Sequence, residues 1–166
     1  MSDQRIFNVL FVCTSNSSRS ILAEAILNGM RNHQFRAYSA GSHPKGEVSP
    51  NAIKILRENG HPTEGLRSKD WSEFAGPNAP SLDFVFTVCD KAAGEVCPVW
   101  PGQPLTAHWG VEEPTVKLGE NKTVEQKYLE AATVLRRRIE LLLSLPIDKL
   151  DRLALQKSLA EIGQTR

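Results

Sequence analysis

Residues 6–20 read IFNVLFVCTSNSSRS and join two different hydrophobic patterns through a polar loop. Residues 6–12 are a nearly unbroken apolar and β-prone run, typical of a strand that is covered on both faces in a parallel sheet. From Ser20 to about residue 33 the apolar side chains recur with a helical period. We therefore predict a strand that leads into a helix through the loop from Cys13 to Ser20.

Strand and helix patterns alternate along the rest of the chain. The further predicted strands are residues 35–40, 82–88 and 105–109, and the further predicted helices are residues 50–59, 123–145 and a last one that ends at Gly163. This alternation indicates an α/β fold with a parallel sheet. Two segments rich in Gly, Pro and charge, residues 90–104 and 110–122, follow the third and fourth strands. Open α/β sheets bind their ligands at these carboxyl ends of strands.

Length and composition restrict the function further. The 166 residues fit one catalytic domain, residues 1–166, with residues 147–166 as a C-terminal helical extension. The 20 Lys and Arg nearly balance the 19 Asp and Glu, so the formal charge of +1 favours neither nucleic acid nor a membrane as a partner. Without a signal-peptide pattern or a run of roughly 18 apolar residues, we expect a cytoplasmic protein. The 3 cysteines are then candidates for chemistry rather than a disulfide scaffold.

The polar loop has the features that bind and attack a tetrahedral oxyanion. Backbone N–H groups at a helix start can form an anion-binding nest, and Arg19 adds a planar fork for two oxygens. The same nest stabilises a thiolate, so we expect Cys13 to be a nucleophile with a pKa below the usual value of about 8.5. Ser20 can donate to its sulfur, and Asn16 suits a tight positive-φ turn. The predicted oxyanion-binding residues are Thr14, Ser15, Asn16, Ser17, Ser18, Arg19 and Ser20.

A Cys-x5-Arg spacing alone fits equally well a small buried cysteine beside a surface arginine. The strand before it and the helix after it favour the nucleophile. The wider pattern resembles the low-molecular-weight protein tyrosine phosphatase superfamily, in residues 9–20, 23–24 and 38–41. Its thioredoxin-coupled arsenate reductase branch is similar in residues 88–90, 94–102 and 108–111. The resemblance implies a three-layer α/β fold, a four-stranded parallel sheet flanked by helices, with the loop after the first strand as the active site.

The resemblance also implies a relay of three cysteines. Cys13 attacks arsenate, Cys89 attacks the Cys13 sulfur to expel arsenite, and Cys97 carries the disulfide to the Cys89–Cys97 pair. An external thiol reductant, either thioredoxin or a glutathione-linked glutaredoxin, then restores the thiols, and no bound cofactor is expected. From the residues alone, both later cysteines fit small buried hydrophobic side chains as well. A zinc site fits poorly because no Cys-x2-Cys pair is present.

Two further parts of the site come from the resemblance. Residues 109–114 match the loop that carries the family's general acid, and Glu113 takes the place of an aspartate before a proline; the alternative is a solvated loop carboxylate. Some members bind potassium beside the loop, at positions that are here Asn16, Glu24, Ser39 and Lys69. Because lysine is not a cation ligand, we predict that its ammonium group supports the loop instead and that no metal binds. The alternative is that Lys69 is exposed.

Three functions remain open on the sequence. The favoured one is arsenate reduction in arsenic detoxification, with phosphate or sulfate as competing anions. The second is a hydrolase of the same fold, a phosphatase acting on phosphotyrosine or a small phosphoester through Cys13, Arg19 and Glu113. The third is an oxyanion-binding protein whose thiols only report the redox state. Neither the reductant nor the oligomeric state can be inferred from these patterns.

Overall fold

Four parallel strands form the sheet of the computed structural model, which describes residues 5–89, 100 and 103–165. The strands are β1 (Phe7–Val12), β2 (Phe35–Ala40), β3 (Phe84–Thr87) and β4 (Leu105–His108), and the helices are α1 (Arg19–Gly29), α2 (Pro50–Glu58), α3 (Val124–Ser144) and α4 (Arg152–Ile162). The strand order is β2-β1-β3-β4, with every neighbouring pair parallel. The predicted α/β fold with a four-stranded parallel sheet is confirmed.

Strand β1 lies inside the sheet and is covered on both faces. Four successive residues, from Val9 to Val12, have an exposed fraction of 0%. Successive side chains of a strand point to opposite faces, so helices and loops cover the sheet on both sides. The rings of Phe11 and Phe86 pack 5.8 Å apart between β1 and β3. This explains why the segment reads as an unbroken apolar run rather than as an alternating one.

The strand order brings the ends of β1 and β3 together. Val12 pairs with Thr87, and the Val88 N–H donates to the Val12 carbonyl at 2.9 Å. Cys13 therefore follows β1 at the same edge where Cys89 follows β3. Because β2 lies on one side of β1 and β3 on the other, the strand order reverses at β1. Open α/β sheets bind their ligands at the carboxyl ends of the strands where such a reversal occurs.

Helix α1 ends at Gly29, so the prediction of a helix to about residue 33 is wrong at the C-terminal end. Arg31 adopts a left-handed φ of 54°, which no helix continues. The Asn28 side chain also exchanges two hydrogen bonds with the backbone of Ala37, donating at 3.1 Å and accepting at 2.9 Å. This contact turns the chain out of the helix and into β2.

Helices α3 and α4 form the C-terminal part of the fold. Helix α3 begins with a reciprocal capping box, in which Thr123 and Gln126 each bind the other's backbone N–H. Helix α4 packs against β4 and α3 and buries Leu155, Leu159 and Ile162. Within residues 5–89, 100 and 103–165, no helix has both the length and the apolar character that crossing a membrane requires.

Candidate active site

The loop between β1 and α1 is held from outside by the segment that follows β2. The N–H groups of His43, Lys45 and Ser49 each donate, at 2.9 Å, to a loop carbonyl, those of Thr14, Ser15 and Ser17 respectively. A trans peptide places its N–H opposite its carbonyl, so the N–H groups that follow these carbonyls point away from the segment. This is the arrangement that an oxyanion-binding nest requires.

Asn16 braces the loop from inside. Its φ of 45° is left-handed, as expected for an asparagine in a tight turn, and its side chain is fully buried. The Asn16 amide donates to Ser20 Oγ at 2.8 Å and to Ser39 Oγ at 3.0 Å, and its oxygen accepts from the Lys69 N–H at 2.9 Å. One side chain thus ties the loop to the start of α1, to β2 and to the chain before the first 3-10 helix, Trp71–Phe74.

Gly41 allows β2 to end directly against the loop. A Cβ atom at this position would lie 2.5 Å from the Thr14 carbonyl oxygen and 2.8 Å from that of Cys13. Both distances are shorter than a carbon–oxygen contact tolerates, and both atoms belong to backbone. Glycine is therefore required here by close approach rather than by its φ angle.

Cys13 and Cys89 meet at the centre of the site. Both are buried thiols rather than a disulfide, with exposed fractions of 2% and 3%. The Cys89 sulfur accepts from the Thr14 N–H at 3.4 Å and lies 3.6 Å from the Thr14 hydroxyl. The Cys89 side chain is also the main influence on the pKa of Cys13. The strand ends thus place a second thiol beside the predicted nucleophile.

The expectation of a lowered Cys13 pKa is wrong. The neighbouring Cys89 side chain raises the pKa of the Cys13 thiol most, and burial raises it further. The Arg19 guanidinium and the Thr14 N–H act in the opposite direction but are weaker. The nest and the start of the helix are local features of the sequence. The position of Cys89 beside Cys13 depends on the fold.

Arg19 is oriented by the loop that follows β4. Its Nη1 donates to the Val111 carbonyl at 2.9 Å, and the Val111 N–H donates to the Val88 carbonyl at 2.9 Å. A guanidinium has five N–H donors in a fixed fork, so one bond to Val111 leaves the remaining donors for an anion. Val111 therefore connects Arg19, the predicted anion-binding arginine, with Val88, the residue that precedes Cys89.

A cleft of about 1100 Å³ opens beside the loop, at the carboxyl ends of the strands. Thr14, Arg19 and Cys89 line it, and so does Glu113, which is exposed. The adjacent Glu112 also lines the cleft, but it pairs with Lys117 and lies 3.7 Å from the Lys127 ammonium. The two carboxylates thus differ in their contacts. Glu112 forms ion pairs, whereas Glu113 is exposed at the cleft, where a general acid has to lie.

The predicted support residues Glu24, Ser39 and Lys69 form a buried cluster with Asn16. The Ser39 hydroxyl donates to Glu24 at 2.5 Å, and the Lys69 ammonium lies 3.5 Å from Ser39 and 3.7 Å from Glu24. Burial raises the pKa of Glu24 and lowers that of Lys69, while each charge opposes the shift of the other. The alternative of an exposed Lys69 is wrong, because its exposed fraction is 8%.

Two residues that contact the loop or Arg19, Tyr128 and Val111, were not predicted from the sequence. The Tyr128 hydroxyl, on α3, hydrogen-bonds Ser18 at 2.8 Å and Ser49 at 2.9 Å, two contacts that the sequence did not predict. Nothing in the local pattern indicates the role of Val111, because its contacts come from backbone atoms. Cys97, the predicted third cysteine, lies outside the described residues. Among the described residues, no cluster of His, Cys, Asp and Glu has the composition of a metal site.

Comparison with known proteins agrees with this geometry. The family model of the low molecular weight phosphotyrosine protein phosphatases matches residues 8–156. The chain belongs to this family. The predicted family membership is thereby confirmed, and the matched range includes the loop, the support cluster and both described cysteines.

Individual relatives fall into two functional groups. An arsenate reductase of Bacillus licheniformis is 34% identical over 121 residues, which cover 72% of this chain and 81% of the relative. The solved thioredoxin-dependent arsenate reductase of Corynebacterium glutamicum is 25% identical with a TM-score of 0.60; the match covers 89% of this chain but only 66% of that one. A low molecular weight protein tyrosine phosphatase from T. tengcongensis is also 25% identical, with a TM-score of 0.60 and coverage of 87% and 99%.

Proposed function

We propose that this family member is an arsenate reductase that works through a Cys13, Cys89 and Cys97 disulfide relay. The observation that carries the proposal is the position of Cys89, whose sulfur accepts from the N–H of Thr14, the residue after Cys13, at 3.4 Å where β1 and β3 end side by side. Hydrolysis of a cysteinyl-phosphate needs one thiol and water, whereas reduction of arsenate needs two electrons from a pair of thiols. The names of the Bacillus and Corynebacterium relatives support the same reaction.

The first step forms a sulfur–arsenic bond. Arsenate binds in the nest with Arg19 across two of its oxygens, and a third arsenate oxygen, the one that later leaves, accepts the Cys13 proton. The Cys13 thiolate then attacks arsenic, and one arsenate oxygen leaves as water after it is protonated by Glu113. Arsenic is still pentavalent in this adduct.

The electrons move in the second step. The Cys89 thiolate attacks the Cys13 sulfur, the sulfur–arsenic bond breaks, and its electron pair stays on arsenic, which departs as trivalent arsenite. The two cysteines, each oxidised by one electron, are left as a disulfide. Because Cys89 already contacts Cys13, this step requires no movement of the strands.

Recycling requires a third thiol and an external reductant. Cys97 attacks the Cys89 sulfur and releases the Cys13 thiolate, which leaves a Cys89–Cys97 disulfide for reduction. Thioredoxin is the proposed reductant, supported by the thioredoxin dependence of the Corynebacterium neighbour, and a glutathione-linked glutaredoxin is the alternative. We place the enzyme in the cytoplasm, where reducing systems keep such thiols ready.

The test compares arsenate with phosphate on the parent chain, without a reductant. Arsenate should cause loss of two hydrogen atoms in the intact mass and a Cys89–Cys97 peptide pair after digestion, whereas phosphate should cause neither. With Cys97→Ser the bond should instead join Cys13 and Cys89. Cys89→Ser should form no internal disulfide and should lose multiple-turnover reduction.

Two results would reject the relay. One is a Cys89 or Cys97 variant that retains the parent's arsenate turnover with thioredoxin supplied, and the other is a parent that forms no disulfide with arsenate. If the parent instead hydrolyses an aryl phosphate, and Cys89→Ser does so equally well, the phosphatase function replaces the proposal. Parallel assays with thioredoxin and with glutaredoxin plus glutathione identify the reductant.

A further inference from the structure

We propose that Arg138 and residues 159–165 form a clasp that positions Arg19 for oxyanion binding. Arg138 lies on α3, and residues 159–165 include the end of α4 and the chain beyond it. The inference rests on the oxyanion-binding part of the proposed function. It assigns a role in the active site to the C-terminal extension. From the sequence this segment was predicted only to form a helix.

The Arg138 side chain joins the extension to the loop after β4. Its exposed fraction is 4%, and its Nη1 donates to the Trp109 carbonyl at 2.6 Å and the Gly110 carbonyl at 2.9 Å. The Nη2 and Nε atoms donate to the Thr165 carbonyl at 3.0 and 3.2 Å. Only a planar guanidinium presents donors in this fork, so a lysine cannot reproduce the set of bonds.

Trp109 makes a second contact with the extension, through its own side chain. Its indole Nε1 donates to the Leu159 carbonyl at 2.9 Å, and its ring stacks on Phe86 with centroids 3.8 Å apart. At Gly163 the chain approaches so closely that a Cβ atom would lie 2.3 Å from the His108 carbonyl oxygen. The extension therefore fits tightly against residues 108–110, immediately before Val111.

Val111 transmits this position to the site. Its carbonyl accepts from Arg19 and its N–H donates to the Val88 carbonyl, as described above. Gly163 and Gln164 line the same cleft as Arg19 and Cys89. A shift of residues 109–110 would therefore move the acceptor that sets the orientation of the Arg19 fork.

The clasp extends beyond the part of the chain that matches the family. The family model ends at residue 156, whereas the clasp contacts on the extension come from residues 159–165. Residues 159–165 therefore support residues 108–110 from outside the range that the family model matches.

The test measures the dissociation constant of inorganic phosphate, from calorimetry and from protection of Cys13 against alkylation. The variants are Arg138→Lys and Gly163→Ala. Their matched controls are Arg137→Lys, an exposed neighbour on α3, and Gly76→Ala, where a Cβ atom meets nothing within 4 Å. We expect each variant to weaken phosphate binding about tenfold, because a small misplacement of a binding group is costly, and the controls to match the parent.

A double-mutant cycle separates positioning from general loss of stability. If the clasp acts through Arg19, Arg138→Lys should weaken phosphate binding much less in an Arg19→Lys background. Lowered thermal midpoints with an unchanged phosphate affinity, or an equal loss in both backgrounds, would overturn the clasp. A parent that binds phosphate but does not reduce arsenate would overturn the proposed function alone, since the clasp is judged by phosphate binding.

Discussion

Cys89 lies beside Cys13 at the adjacent ends of β1 and β3, and its sulfur accepts from the Thr14 N–H at 3.4 Å. The Cys89 side chain is also the largest cause of the raised pKa of Cys13. This arrangement supports the proposed relay, because it puts a second thiol next to the proposed nucleophile.

Replacing Cys89 with alanine should lower the pKa of Cys13, because the Cys89 side chain is the largest cause of its increase. Only the thiolate reacts with iodoacetamide, so the pH profile of Cys13 alkylation should shift to lower pH. Both proteins carry Cys97→Ala so that peptide mapping follows Cys13 without interference. An unchanged profile would show that Cys89 does not control the nucleophile.

Arg19→Lys should weaken phosphate binding roughly 10- to 100-fold, since hydrogen bonds to charged groups contribute about 1.5–3 kcal/mol. Lysine retains the charge but loses the planar fork and its fixed contact with Val111. Calorimetry at constant ionic strength measures the change, with the exposed Arg36→Lys as control. Equal affinities of the two variants would argue against bidentate binding by Arg19.

Glu113→Gln should slow the formation of the Cys13–arsenic adduct by about 10²- to 10⁴-fold, because a general acid contributes on that scale. Rapid-quench measurement of a single turnover reports this step before the relay. Glu112→Gln is the matched control, because Glu112 is paired with Lys117. If the two variants slow the step equally, the loop acts through its charge and Glu113 is not the acid.

Lys69→Met should destabilise the fold by about 3 kcal/mol near neutral pH, the scale for removing one partner of a buried ion pair. Burial already raises the pKa of Glu24, and loss of the lysine raises it further. Below its folded-state pKa, Glu24 is protonated and tolerates burial, so the destabilisation should diminish as the pH falls and grow as it rises. Urea unfolding across this range measures it, with Lys54→Met, which removes an exposed ion-paired lysine, as control; a pH-independent difference would contradict the coupling.

Potassium should have no effect on oxyanion binding. The Lys69 ammonium lies 3.5 Å from Ser39 and 3.7 Å from Glu24, so a cation is already present within the support cluster. Titrations of phosphate in potassium and in sodium buffers of equal ionic strength should give the same dissociation constant. A tighter value in potassium would mean that the ion binds despite Lys69.

Local patterns determined the architecture and the nucleophilic loop. The apolar run of β1, the helical period of α1 and the polar residues between them are properties of neighbouring residues, so they can be read without knowing the fold. The same holds for the strands and for α3. Helix α1 was overextended because the contact that ends it, between Asn28 and Ala37, joins two elements.

Tertiary structure alone decided how the site works. The raised pKa of Cys13 depends on Cys89, the orientation of Arg19 depends on the Val111 carbonyl, and both partners are more than 70 residues away along the chain. The C-terminal extension reads as an ordinary amphipathic helix, yet Arg138 and Thr165 tie it to the loop beside the cleft. The sequence determines which side chains the site can use, because residue types and hydrophobic periods are local properties of the chain. Their distances, and so their pKa values and orientations, arise only when the sheet brings separate strand ends to one edge.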